Sequence, residues 1–112
     1  MSPRDWRIRL EDILEAIHSI QDYISGMDYD YFVSDRKTID AVLRNLEIIG
    51  EAANFIPTDI RETYSDFPLV ELRAMRNIIA HQYFGVSLPI IWKSITEDLP
   101  ELEKIIIKIS SL

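Results

Sequence analysis

Trp6, Leu10, Ile13, Ile17, Ile20 and Ile24 recur at alternating spacings of four and three, a pattern that lines up along one side of an α-helix and nowhere else. A chain that opens with six turns of one-sided apolar helix has to cover that seam with further helices. Ser2 is the expected N-cap, with Pro3 in the first helical position and Asp5 at the capping-box site. Gly26 is the expected left-handed stop. His18 falls beside the seam, where it reads as a boundary histidine rather than a catalytic one.

The rest of the chain keeps the helical period. Asp28-Tyr29-Asp30-Tyr31-Phe32 reads as an aromatic loop that anchors on the bundle, because no basic residue interleaves the rings as strand binding would need. Ser34 is placed to cap a second helix running to Ile56, with Ile39, Val42, Leu43, Leu46, Ile49, Ala53 and Ile56 on its apolar face. Gly50 costs that helix about 1 kcal/mol relative to alanine, so its presence in the stripe predicts the close approach of another helix. Arg44, Glu47, Glu51 and Asn54 form a polar stripe. Glu47 and Glu51 repel at i and i+4 unless a cation such as Arg73 or Arg76 stands near, and a solvated acidic face is the other reading. Asp59 and Glu62 mark a short capped helix.

Ser87 can cap a final helix with Pro89 in its first turn. Ile91, Ile95, Leu99, Leu102, Ile106 and Ile109 stay in phase across Pro100, which predicts one bent helix in which Pro100 removes the bond to Thr96. Ile105, Ile106 and Ile107 make its end apolar almost all round, which implies a partner. With no alternating strand pattern, the expected architecture is all-α, an antiparallel bundle of four longer helices and a short one.

One stretch concentrates chemistry. Between Pro68 and Phe84 a helical reading places Arg73, Arg76, Asn77, Ala80 and His81 within an arc about 140° wide, with Leu72, Met75, Ile78 and Ile79 opposite. Only Val70 breaks the split, and the apolar arc is the one expected to be buried. Arg76 and His81 are about 7.5 Å apart along the axis, a span that an arginine side chain crosses and that leaves room for a phosphate. Packing alone gives no reason to gather two arginines, an asparagine and a histidine on one face.

Arg76-Asn77-Ile78-Ile79-Ala80-His81-Gln82-Tyr83 matches the R-x4-H-x-Y signature of HEPN-domain proteins. The chain resembles the HepT-type toxins of the MNT/HEPN toxin–antitoxin systems. Ala41 to Ala52, with Gly50-Glu51-Ala52, resembles that group's second helix; Phe84-Gly85-Val86 resembles the continuation after the tyrosine. Ile91-Trp92 with Glu97-Asp98-Leu99-Pro100 resembles the last helix. Leu69 stands where the family often has Trp, and Ser87 where it usually has Asp; the first change bears on packing and the second keeps a capping residue.

The resemblance implies the toxin of a type VII system, a metal-independent endoribonuclease with Arg76 and His81 as catalytic residues. In such a reaction the RNA 2′-OH attacks its own phosphate, so the protein supplies proton transfer, here from His81, and charge stabilisation, here from Arg76. Arg73 and Asn77 are placed to assist, and Glu51 to balance the arginines. The resemblance further implies cyclic-phosphate products and silencing by a nucleotidyltransferase antitoxin that adenylylates Tyr83. On a continuous helix Tyr83 lies only about 20° from Arg76, two turns further on, at the border of the polar arc. One His and one Arg make a thin site, and a homodimer would double them in a shared cleft.

The 112 residues suit one domain, with RNA and the antitoxin as partners. Zero cysteines and two separated histidines offer no metal set, and no cofactor motif is present, as a Gly-rich phosphate loop is missing. The charged amino terminus and the lack of a long apolar run lead to the expectation of a cytoplasmic protein without membrane association. A net charge of −7 opposes non-specific nucleic-acid binding. It favours the competing reading, a non-catalytic HEPN module that binds a nucleotide or serves as partner subunit of a nucleotidyltransferase; a structural dimeric scaffold is a third.

Overall fold

The computed structural model describes residues 5–111. The expected N-cap and first helical residue, Ser2 and Pro3, lie outside them. Helix α1, Trp6–Tyr23, starts instead at Asp5, whose carboxylate accepts from the Arg7 amide at 2.9 Å. Asp5 is therefore the cap itself and not the acid of a capping box. Leu10, Ile13, Ile17 and Ile20 are buried along the predicted seam, and Gly26 turns the chain at φ 78°, a conformation glycine adopts without steric cost.

The aromatic stretch is not a loop. It forms a short helix α2, Tyr29–Ser34, capped by Asp28, which accepts from the Tyr31 amide at 2.8 Å. Six residues have little helical tendency of their own; what holds them is Phe32, fully buried with its ring centroid 5.1 Å from that of Trp92. Ser34 closes α2 by donating to the Tyr31 carbonyl. The cap of the next helix, α3 (Arg36–Ala53), is Asp35, which accepts from the Thr38 amide and hydroxyl. Beyond Ala53 the chain tightens into i→i−3 bonds that carry Ile56 into the core.

Helix α4, Thr58–Thr63, begins at Pro57 without a side-chain cap, so Asp59 lies in its first turn and not at the capping position. Helix α5, Leu69–His81, carries the octet. The last predicted helix is one bent run: α6, Leu88–Lys93, continues through a π-helical segment, Ser94–Asp98, into α7, Leu99–Ser110. Pro100 cannot donate to Thr96, and the wider π turn lets the Leu99 amide reach the Ser94 carbonyl instead. Ile105 and Ile106 are buried within the chain itself, and only Ile107 of that trio is exposed. The partner inferred from all three rests on one.

The described residues form an all-α bundle of four long helical runs and two short helices, with no strand among them. Helix α3 lies between α1 and α5, and α7 packs on α1. His18 on α1 bridges to Glu103 on α7 at 2.6 Å, a boundary role outside the octet. No described helix is long and apolar enough to cross a membrane.

Candidate functional site

The site is set by how closely α5 lies on α3. A Cβ at Gly50 would fall 2.5 Å from the Cβ of Arg76 and 3.0 Å from the Leu72 carbonyl oxygen. Without a side chain there, the two backbones come together. Arg76 is thereby set against the polar stripe of α3, with its guanidinium 3.7 Å from the Glu51 carboxylate and donating to the Asn77 side-chain oxygen at 3.4 Å. One turn earlier, Arg73 Nε donates to the Asn54 side-chain oxygen. Glu51, Asn54, Arg73, Arg76 and Asn77 line an open cleft of about 380 Å³. Two guanidiniums face one carboxylate, a local positive balance in a chain of net charge −7, which suits a phosphate.

Four of the predicted site residues, Glu51, Arg73, Arg76 and Asn77, are thus brought together. The paired-cation reading of the acidic stripe holds for Glu51. His81 is not in that lining: it is the last residue of α5, exposed, and its side chain makes no hydrogen bond or ion pair among the described residues. The helix is rotated relative to the predicted split. Ile79 is buried and Leu72 and Met75 half-buried, but Ile78 is 47% exposed. Val70, Ala74, Asn77, Ile78 and His81 form an outward stripe, because Arg76, whose stem packs over Gly50, takes part of the inner face that the apolar count assigned to Ile78.

Tyr83 is not where a continuous helix would put it. The helix stops at His81, Gln82 leaves it with φ −135° and ψ 40°, and Tyr83–Gly85 form a 3₁₀ turn. Gly85 is the last residue of that turn. The turn carries the Tyr83 hydroxyl to α3, where it donates to Asp40 Oδ1 at 2.8 Å. Arg36 Nε meets the same oxygen at 3.1 Å, and its guanidinium lies 5.8 Å from the Tyr83 ring centroid. Desolvation, the hydrogen bond to Asp40 and that carboxylate's charge push the Tyr83 pKa above its usual 10.0; Arg36 opposes them and Glu47 adds to the rise.

Asn54, Asp40 and Arg36 were not assigned to the site from sequence. Asn54 was visible in the polar stripe, and Arg36 and Asp40 form an i,i+4 pair that sequence spacing shows. What spacing cannot show is that Tyr83 folds back onto them. Among the described residues no group of His, Cys, Asp or Glu is arranged to hold a metal ion.

A family model described as "Ribonuclease HepT-like" matches residues 13–109. A protein of Methanocaldococcus jannaschii named "Putative RNase MJ1380" is 39% identical over 104 residues, covering 93% of this chain and 95% of its own length. "Probable ribonuclease HepT" of Thermococcus cleftensis is 43% identical over 94 residues, 84% of this chain and 86% of that one. "Putative RNase TTE0752" of Caldanaerobacter subterraneus is 41% identical over 95 residues and covers 85% of each. No solved structure matches.

Proposed function

Because the chain belongs to the HepT-like ribonuclease family, we propose that it is a metal-independent endoribonuclease whose chemistry is performed by Arg76 and His81. The observation that carries this reading is the cleft in which Arg73, Arg76 and Asn77 face Glu51 and Asn54. Its two guanidiniums would hold the scissile phosphate, and Arg76 would stabilise the phosphorane formed when the 2′-oxygen attacks. Glu51 keeps Arg76 placed until a phosphate competes for it. His81, whose side chain has no partner among the described residues, transfers the proton. One His and one Arg make a thin site, which a pair of protomers would double in a shared cleft.

The pairing follows from the outward face of α5. Val70 is 75% and Ile78 47% exposed on the stripe that also holds Asn77 and His81. We take this mixed face as the seam of a two-fold homodimer, so that His81 of one protomer completes a cleft shared with the other. The proposed setting is a type VII toxin–antitoxin system in the cytoplasm, with an MNT-type nucleotidyltransferase adenylylating Tyr83 to silence the toxin. The negative net charge supports the second reading, a phosphate-binding partner subunit that cleaves nothing.

An oligoribonucleotide assay in EDTA separates the two. The nuclease reading expects cleavage that leaves a 2′,3′-cyclic phosphate and spares every position carrying a 2′-deoxyribose. Phosphate binding in the cleft with no cleavage at any enzyme concentration would establish the second reading in its place.

A further inference from the structure

We propose that Asp40 is the proton acceptor that turns the Tyr83 hydroxyl into a nucleophile, with Arg36 beside it to receive the charge of the incoming phosphate. This rests on the reading that Tyr83 is adenylylated. It adds that the toxin brings part of the catalytic apparatus for its own modification.

The geometry suits proton transfer from the phenol. Tyr83 Oη donates to Asp40 Oδ1 at 2.8 Å, so the hydrogen already points at a carboxylate. Arg36 Nε holds that same oxygen from the side at 3.1 Å, which fixes the carboxylate while leaving Oδ2 without a partner among the described residues. The Asp40 and Arg36 side chains are 47% and 55% exposed, so a nucleotide held by a second protein can reach them. The Tyr83 ring is half-buried against the core and so held in place, while the two charged groups at its hydroxyl stay open to solvent.

The charged groups that face Tyr83 are Asp40, Arg36 and Glu47, all on α3. Two are negative. They oppose a resting phenolate, so the proton has to leave while the new bond forms and not before it, which is the situation in which a positioned base accelerates a reaction. In the step itself Tyr83 Oη bonds to the α-phosphorus of a nucleoside triphosphate. The bond from that phosphorus to the β-phosphate oxygen breaks, pyrophosphate departs with the electron pair, and the phenolic proton passes to Asp40. Arg36 is near enough to donate to the α-phosphate oxygens as charge builds on them. The transferase would supply the triphosphate and its metal ion.

The test uses the full chain, the nucleotidyltransferase antitoxin and α-labelled ATP, with the adduct mapped by mass spectrometry. Wild type is expected to be labelled on Tyr83 at a rate that varies little with pH near neutrality. Asp40→Asn, checked for fold by circular dichroism, is expected to be labelled about 100-fold more slowly, with a rate that climbs as pH rises and the phenol ionises unaided. Asp40→Glu should recover part of the loss and the flat profile. Wild-type rates in Asp40→Asn, with the label still on Tyr83, would overturn the role of Asp40 and leave adenylylation standing. A slower but pH-independent Asp40→Asn would also overturn it, since that marks a residue that only places the ring. A wild-type protein that takes no label on Tyr83 would remove both this inference and the reading beneath it.

Discussion

Gly50 on α3 and Arg76 on α5 approach so closely that a Cβ on the glycine would stand 2.5 Å from the Cβ of the arginine. The arginine of the cleft is therefore seated by an absent side chain. An alanine in an unobstructed helix would add about 1 kcal/mol of stability. Here the nearest atoms belong to the stem of Arg76 and to the Leu72 backbone, which move only if α5 moves.

Gly50→Ala is accordingly expected to lower stability by about 1–3 kcal/mol, the usual range for overpacking, and to lower Tm by roughly 5–15 °C. Cleavage should fall with it, since the cleft opens between the two helices. Calorimetry showing a higher Tm for Gly50→Ala would contradict the close packing of α5 on α3.

The Tyr83 hydroxyl gives a pH prediction with a definite sign. Its pKa is raised by desolvation and by Asp40, so the folded state holds this proton more tightly than the unfolded chain does. The associated stability is fully present below the unfolded value near 10.0 and is lost as pH rises through the higher folded value. Ultraviolet titration of the folded protein should show one tyrosine ionising late, absent in Tyr83→Phe and shifted back down in Asp40→Asn. A Tyr83 that titrates below 10 would show that the bond to Asp40 does not persist in solution.

The pattern of apolar residues made most of this bundle legible in advance. The seam of α1, the stripe of α3, the bent last helix and the close approach at Gly50 all follow from spacing, because a helix turns linear order into a face by a fixed rotation. Where the structure departs, tertiary contact overrode a local rule. Phe32 draws a short aromatic run into helix α2, and Arg76, lying over Gly50, takes inner surface that hydrophobicity alone would have given to Ile78.

The arrangement of the candidate site was legible in part. Arg73, Arg76 and Asn77 share the cleft as their common arc implied and meet Glu51 as one reading of the acidic stripe had it, while His81, from the same arc, lies outside the lining. Tyr83 escaped the helical wheel, since the wheel assumes that α5 continues and the chain leaves the helix at Gln82. The bond from Tyr83 to Asp40 spans 43 residues, and no local pattern encodes it.

The proposed two-fold site predicts complementation between inactive variants. His81→Ala and Arg76→Ala proteins, each folded and inactive alone, should regain activity when mixed under conditions that exchange subunits, to about a quarter of wild type at most if each site draws on both protomers. Light scattering should give twice the monomer mass. A monomer, or a mixture that stays inactive although exchange is shown, would place the whole site within one chain.

The central claim is that Arg76 and His81 cleave RNA without a metal ion, and its most direct measurement is the single-turnover cleavage rate of a labelled RNA in excess EDTA. The wild-type rate is expected to be insensitive to the chelator. His81→Ala and Arg76→Ala, each confirmed as folded by circular dichroism, should be slower by about 100-fold or more, the loss that follows removal of an acid–base group or a charge-stabilising donor. Undiminished cleavage by the His81→Ala protein, or loss of wild-type cleavage on adding EDTA, would contradict it.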